Sequence, residues 1–147
     1  YEDAFYTLEL LNNVDKYTLI SGNYYYYYIR ENSITTRPFS SKDMDYIEIM
    51  EKIRDYTLSN FPIYKEKLLV RLTFAYISIF NQLIVTENYK QRQEYKILRK
   101  KLMDIRFKII ANKNAPRNLK IAVLLLSINE KLYKFILSKY KKYESND

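Results

Sequence analysis

Apolar residues recur along most of this chain at intervals of three and four, the spacing that places them on one face of an α-helix. The series Met44, Ile47, Met50, Ile53 and Tyr56 or Thr57 predicts one helix. Ser40 and Asp43 stand just before it at the spacing of a capping box. Pro62 suits the first turn of a second helix, whose face runs through Leu68, Leu69, Leu72, Tyr76, Ile79, Phe80 and Leu83 to the neighbourhood of Val85. A third is predicted from Glu87 to Ala111, with Tyr95, Leu98, Leu102, Ile105 and Ile109 inward, and Asn112 to Asn114 break it. Pro116 opens the fourth, with Leu119, Val123, Leu126, Leu132, Phe135 and Ile136 inward. Residues 141–147 are polar and predicted to fray.

The first part of the chain has a different texture. Residues 2–13 (EDAFYTLELLNN) show helical spacing at Phe5, Leu8 and Leu11, with acids in the first turn where the helix dipole favours them. Tyr17 to Ile20 and Tyr24 to Ile29 are short aromatic and β-branched runs on either side of Ser21-Gly22-Asn23, the strongest turn signal present, and predict two strands. In such a strand Tyr24, Tyr26 and Tyr28 share one face, where packing is favoured over sugar stacking. Residues 31–42 are polar and read as a linker. The expected fold is mainly α: a helix–strand–strand piece over 1–37, then a helical domain of about four helices over 38–147.

Composition narrows the chemistry. There is no Cys and no His, which removes disulfides, thiolate and imidazole catalysis and most zinc sites within this chain. Proton transfer must use Asp, Glu, Lys or Tyr. A hydrophobic fraction of 48% with 29% charged residues is that of a globular chain. The apolar run from Leu68 to Val85 contains Arg71, Asn81 and Gln82, and residues 119–137 are interrupted by Asn129, Glu130 and Lys131, so both read as bundle helices rather than membrane spans. The chain opens Tyr1-Glu2-Asp3 without a basic leader, and is expected to be cut from a longer protein.

Two segments carry a family resemblance. Glu2-Asp3 opens a helix with Phe5 following, and the Tyr-rich run continues Tyr26-Tyr27-Tyr28-Ile29-Arg30-Glu31-Asn32-Ser33-Ile34-Thr35. In this order the pair resembles the end of the catalytic domain of bacterial family-two glycosyltransferases, which have the GT-A fold. There an acidic pair starts a helix beneath the acceptor site, and a Tyr-Tyr-x-x-Arg-x-x-Ser-Ile segment follows. Tyr28 stands where many members have a basic residue. The resemblance covers the first 37 residues and makes the helix–strand–strand piece a remnant of that α/β domain. It implies transfer of a sugar from a nucleotide diphosphate donor to a hydroxyl acceptor, with inversion, in surface polysaccharide or glycan synthesis. Asp3 would be the general base, Glu2 its neighbour at the helix start, and Arg30 and Ser33 contacts to the donor diphosphate. Structural roles stand beside each: first-turn acids that start a helix, and an arginine that closes a strand. The family's Asp-x-Asp motif, which holds the donor and a divalent metal, Mg or Mn, lies on a strand ahead of the matched segment; the one such spacing here, Asp43-Met44-Asp45, stands after that segment at a predicted helix start. The fragment itself is thus expected to hold no cofactor or metal and to be inactive alone.

Net charge is +8. Lys96, Arg99, Lys100, Lys101, Arg106 and Lys108 make the third predicted helix basic, and Lys139, Lys141 and Lys142 add charge near the end. Such a face could meet nucleic acid, the less favoured partner, or anionic lipid beside a lipid-linked or saccharide acceptor, or it could simply be solvated. An apolar patch on the bundle would suit a homodimer. The alternative to the transferase reading is a non-catalytic basic helical module on a membrane surface or protein partner. The expected location is cytoplasmic, at or near the inner face of the membrane.

Overall fold

The computed structural model describes residues 2–26, 28 and 37–144. Six α-helices account for most of them: α1 (Glu2–Asn12), α2 (Met44–Asn60), α3 (Lys65–Leu83), α4 (Gln93–Ala111), α5 (Arg117–Ile128) and α6 (Glu130–Glu144). The chain is mainly α. Neighbours in sequence are neighbours in space, so α2 packs on α3, α3 on α4, α4 on α5 and α5 on α6. Short connections between long helices favour this arrangement.

The core lies on the inner faces of α2 to α5. Ile47 and Met50 of α2, Leu72, Ile79, Phe80 and Leu83 of α3, Leu98, Leu102 and Ile109 of α4, and Leu119, Val123 and Leu126 of α5 are buried together. Nearly all belong to the faces expected from spacing. The side chains that complete the faces of α2 and α4, Ile53, Tyr95 and Ile105, are half-buried against this cluster.

The start of α2 is fixed by side chains. Ser40 and Asp43 form a full capping box around a 3-10 turn over Ser41–Asp43, with the Ser40 amide donating to Asp43 Oδ2 at 2.7 Å. Asp43 is buried, and a buried carboxylate needs partners. Arg37 supplies two, donating from Nη2 to Oδ1 at 2.6 Å and from Nη1 to Oδ2 at 3.1 Å, the forked geometry that only a guanidinium offers. The far end of α4 is tied down in a related way. Asn112 is buried, its Nδ2 donates to the Glu66 carbonyl at the start of α3, and its Oδ1 accepts from the Asn114 amide.

Four expectations need correction. The two predicted strands are not strands: residues 14–26 and 28 are irregular, and Tyr27 and Ile29 lie outside the described residues. β-propensity expresses fit to a half-buried pleated surface with a paired neighbour, and Tyr24, Tyr25, Tyr26 and Tyr28 are all strongly exposed. Among the described residues, the expected helix–strand–strand piece is therefore one helix followed by irregular chain. Where a turn was expected, the chain bends at Gly22. Gly22 has φ +152°, and a Cβ there would run into the Tyr24 ring.

The third helix begins at Gln93 rather than Glu87. Asn88 takes a left-handed conformation (φ 51°) and a 3-10 turn over Tyr89–Gln91 precedes the helix. The fourth predicted helix is two, divided at Asn129, whose backbone is extended (φ −148°, ψ 98°). Its Oδ1 accepts from the Leu132 amide at 3.1 Å, the local side-chain bond by which Asn opens a helix instead of continuing one.

Finally, Leu132, Phe135 and Ile136 do not face inward; each is exposed. The buried spacing 119, 123 and 126 continues through 130, 133 and 137, so Glu130, Tyr133 and Leu137 turn toward the bundle. Ranking residues by hydrophobicity favoured the wrong strip. Glu130 is the inward residue because two tyrosines and an arginine wait for it.

Candidate functional site

The expected catalytic pair sits where the acid pattern put it. Glu2 is the first residue of α1, and its side chain lies outside the described part of the chain. Asp3 follows in the same turn and is exposed. Its Oδ1 accepts from the Ala4 amide at 2.9 Å, and its backbone carbonyl accepts from the Thr7 hydroxyl at 2.8 Å. α1 is anchored on α2, with the Phe5 ring edge-on to Tyr56 at 5.7 Å between centroids. Arg30 and Ser33, the expected donor contacts, lie outside the described residues, so the structure neither joins them to Asp3 nor separates them from it.

A second arrangement was not expected. α2, α3 and α4 enclose a groove of about 680 Å³. Its floor is apolar, with Leu58, Leu69, Leu72 and Ile105. Among its lining residues is a polar triad from three helices, Tyr76, Glu51 and Lys101. Tyr76 donates its hydroxyl to Glu51 Oε1, and Lys101 donates to the same oxygen at 2.5 Å. Burial, then the Glu51 hydrogen bond and charge, push the Tyr76 hydroxyl far above its ordinary value. Tyr76 is therefore a neutral donor here and not a base. Lys65 and Lys108 also line the groove, opposite in sign to Glu66 and Asp104. The mixture suits recognition of a polar molecule more than proton transfer.

The third cluster locks α6 to the bundle. Glu130 accepts from Tyr95 at 2.5 Å, Tyr89 at 3.1 Å and Arg99 Nε at 3.3 Å, with Lys90 Nζ at 3.6 Å. Burial alone would raise this carboxyl. The hydrogen bonds from Tyr95 and Tyr89, with the Lys90 and Arg99 charges, outweigh it and hold the group below the ordinary glutamate value. Tyr89 is pushed up to about 12, first by burial and then by the Glu130 bond. Lys134 adds a cation over the Tyr89 ring at 4.5 Å.

These contacts alter the reading of the basic helix. Arg99 and Lys101 are spent on Glu130 and Glu51, and Arg106 stacks on Phe107 at 4.2 Å. Half of the six cations expected to form one open face are engaged within the fold. Glu130 had been visible in the sequence only as an interruption of an apolar run, and Glu51 had no signal at all.

Among the described residues no three Asp, Glu, His or Cys side chains converge as a metal site. No helix among them is long and apolar enough to cross a membrane. Compared with known proteins, the chain matches no family model, no curated protein and no solved structure.

Proposed function

We propose that this chain is the acceptor-side and C-terminal portion of an inverting glycosyltransferase that uses a nucleotide-diphosphate sugar. The observation that carries the reading is Asp3: an exposed carboxylate in the first turn of α1, on a helix anchored to the bundle, preceded by Glu2 and followed by the Tyr26 to Thr35 sequence. In the reaction, the acceptor hydroxyl oxygen attacks the anomeric carbon of the donor. The bond from that carbon to the diphosphate breaks, and the nucleoside diphosphate departs with the electron pair. Asp3 takes the hydroxyl proton as the new glycosidic bond forms, converting a poor neutral nucleophile into an effective one. Glu2 helps to set the helix start, and Arg30 with Ser33 offers donors to the diphosphate oxygens.

The donor and its metal would be held by a preceding domain. On this reading, the exposed Tyr24, Tyr25, Tyr26 and Tyr28 and the outer apolar residues of α1, Leu10 and Leu11, meet that domain. The test begins with the coding sequence ahead of Tyr1, which should specify about two hundred residues of alternating strands and helices with an Asp-x-Asp motif. The intact gene product should then transfer labelled sugar from a nucleotide donor in the presence of Mg or Mn, while residues 1–147 alone should transfer none. A preceding sequence without a nucleotide-sugar domain removes this reading and leaves the helical module as the alternative.

A further inference from the structure

Helix α6 carries two apolar strips, and the bundle covers one. Tyr133 and Leu137 turn inward, with the Tyr133 ring near Phe80 and its hydroxyl donating to Asn81 at 2.5 Å. The second strip, Leu132, Ile136 and Tyr140 at spacing four with Phe135 beside it, is exposed. Ile128, the last residue of α5 on the other side of the Asn129 break, is 75% exposed, and Phe135 is 59% exposed. α6 is also the most strongly amphipathic of the six helices. Apolar exposure of this kind along one helix indicates a surface with a partner.

Charge indicates the partner. Residues 113–144 hold eight Lys and Arg against two acids, so this stretch carries +6 of the chain's +8. One of those acids, Glu130, is turned into the bundle and satisfied there. Lys131 and Lys139 are exposed next to the outer strip, and the Lys139 ammonium stands 5.7 Å from the centre of the Phe135 ring. Lysines on long stems beside Leu, Ile, Phe and Tyr can keep their charge in the headgroup layer while the apolar side chains enter the acyl boundary.

We propose that the outer strip of α6, with Ile128, rests in the interfacial plane of an anionic lipid bilayer. The inference is independent of the transferase reading, since it needs only this surface. A nucleic acid would neutralise the lysines but leave Ile128, Leu132 and Ile136 in water. A second copy of the chain would cover the apolar strip but bring Lys131 and Lys139 of the two copies to one interface. An anionic bilayer satisfies both features at once.

The experiment is co-sedimentation of the 147-residue chain with phosphatidylcholine vesicles, with and without about 30 mol% phosphatidylglycerol. The chain should bind the anionic vesicles and not the neutral ones, and binding should weaken as salt is raised. Two double variants separate the contributions: Phe135→Ser with Ile136→Ser, and Lys131→Glu with Lys139→Glu. All four positions are exposed, so circular dichroism should match the wild type, and each pair should lower partitioning roughly tenfold or more. If the serine pair perturbs the fold, the charge pair still decides. Equal binding to neutral vesicles, no binding to anionic ones, or wild-type binding by a folded variant would overturn the proposal. So would a dimer that the serine pair dissolves in a chain that ignores vesicles, because the second copy would then be the occupant.

Discussion

Replacing Glu130 by Ala tests whether a carboxylate, rather than an apolar contact, fastens α6 to the bundle. Its two oxygens accept from Tyr95 at 2.5 Å, Tyr89 at 3.1 Å and Arg99 at 3.3 Å, and its side chain is only 12% exposed. Hydrogen bonds to a charged acceptor contribute about 1.5–3 kcal/mol each when well buried. The two phenols are half-buried and can recover water, which reduces each loss to about 1 kcal/mol. Arg99 and Lys90 are largely exposed, so their ionic contribution is at most about 1 kcal/mol together. Glu130→Ala should therefore destabilise the chain by about 2–3 kcal/mol. Glu130→Gln, which keeps one acceptor oxygen, should cost about half of that. In urea unfolding followed by circular dichroism, a slope near ~2 kcal/mol/M converts the alanine effect into a midpoint lowered by about 1–1.5 M. A Tyr95→Phe change should matter less in the Glu130→Ala background than in the wild type, with a coupling of about 1 kcal/mol. An alanine variant within about 0.5 kcal/mol of wild type, a change typical of an ordinary surface position, would refute the reasoning.

The same clusters give a pH profile and two stability effects. Glu130 is held below the ordinary 4.5 in the folded state, so its contribution is complete above that value and is lost as pH falls through the lower folded value; urea midpoints should decline on acidification below about 4.5, and less so in Glu130→Gln. The tyrosines run the other way. Tyr76, Tyr89, Tyr95 and Tyr133 hold their protons above the ordinary 10.0 in the folded state, so stability should fall as pH rises past 10, and an ultraviolet titration should show a late-ionising group that vanishes in urea. Asp43→Ala strands Arg37 and the Ser40 amide and should cost about 2–3 kcal/mol in the same urea assay. Leu98→Ala, at a fully buried position of α4, should cost about 3 kcal/mol.

What the sequence makes legible is periodic or local. Leu72, Ile79, Phe80 and Leu83 announce their face because spacing and hydrophobicity agree, and Ser40 with Asp43 announces a cap because both partners lie three residues apart. What it hides is set by residues far along the chain. Leu132, Phe135 and Ile136 look like core because nothing local reveals that Tyr89, Tyr95 and Arg99 bring Glu130 inward and so fix the phase of α6. The tyrosines from Tyr24 to Tyr28 look like a strand because propensity presumes a neighbouring strand, and the described residues provide none. The Tyr76–Glu51–Lys101 triad lining the groove joins three helices, and no spacing rule anticipates it. Asp3 is the opposite case: an acid in a first turn is a short-range signal, and α1 begins where the signal lies.

The central claim concerns that carboxylate, and the most direct measurement is the rate of sugar transfer by the intact gene product with Asp3→Asn. Loss of a positioned general base should lower turnover by about 10²–10⁴-fold, with donor binding and urea stability unchanged. Turnover by the folded variant within a few-fold of wild type would contradict the assignment of Asp3 as the base.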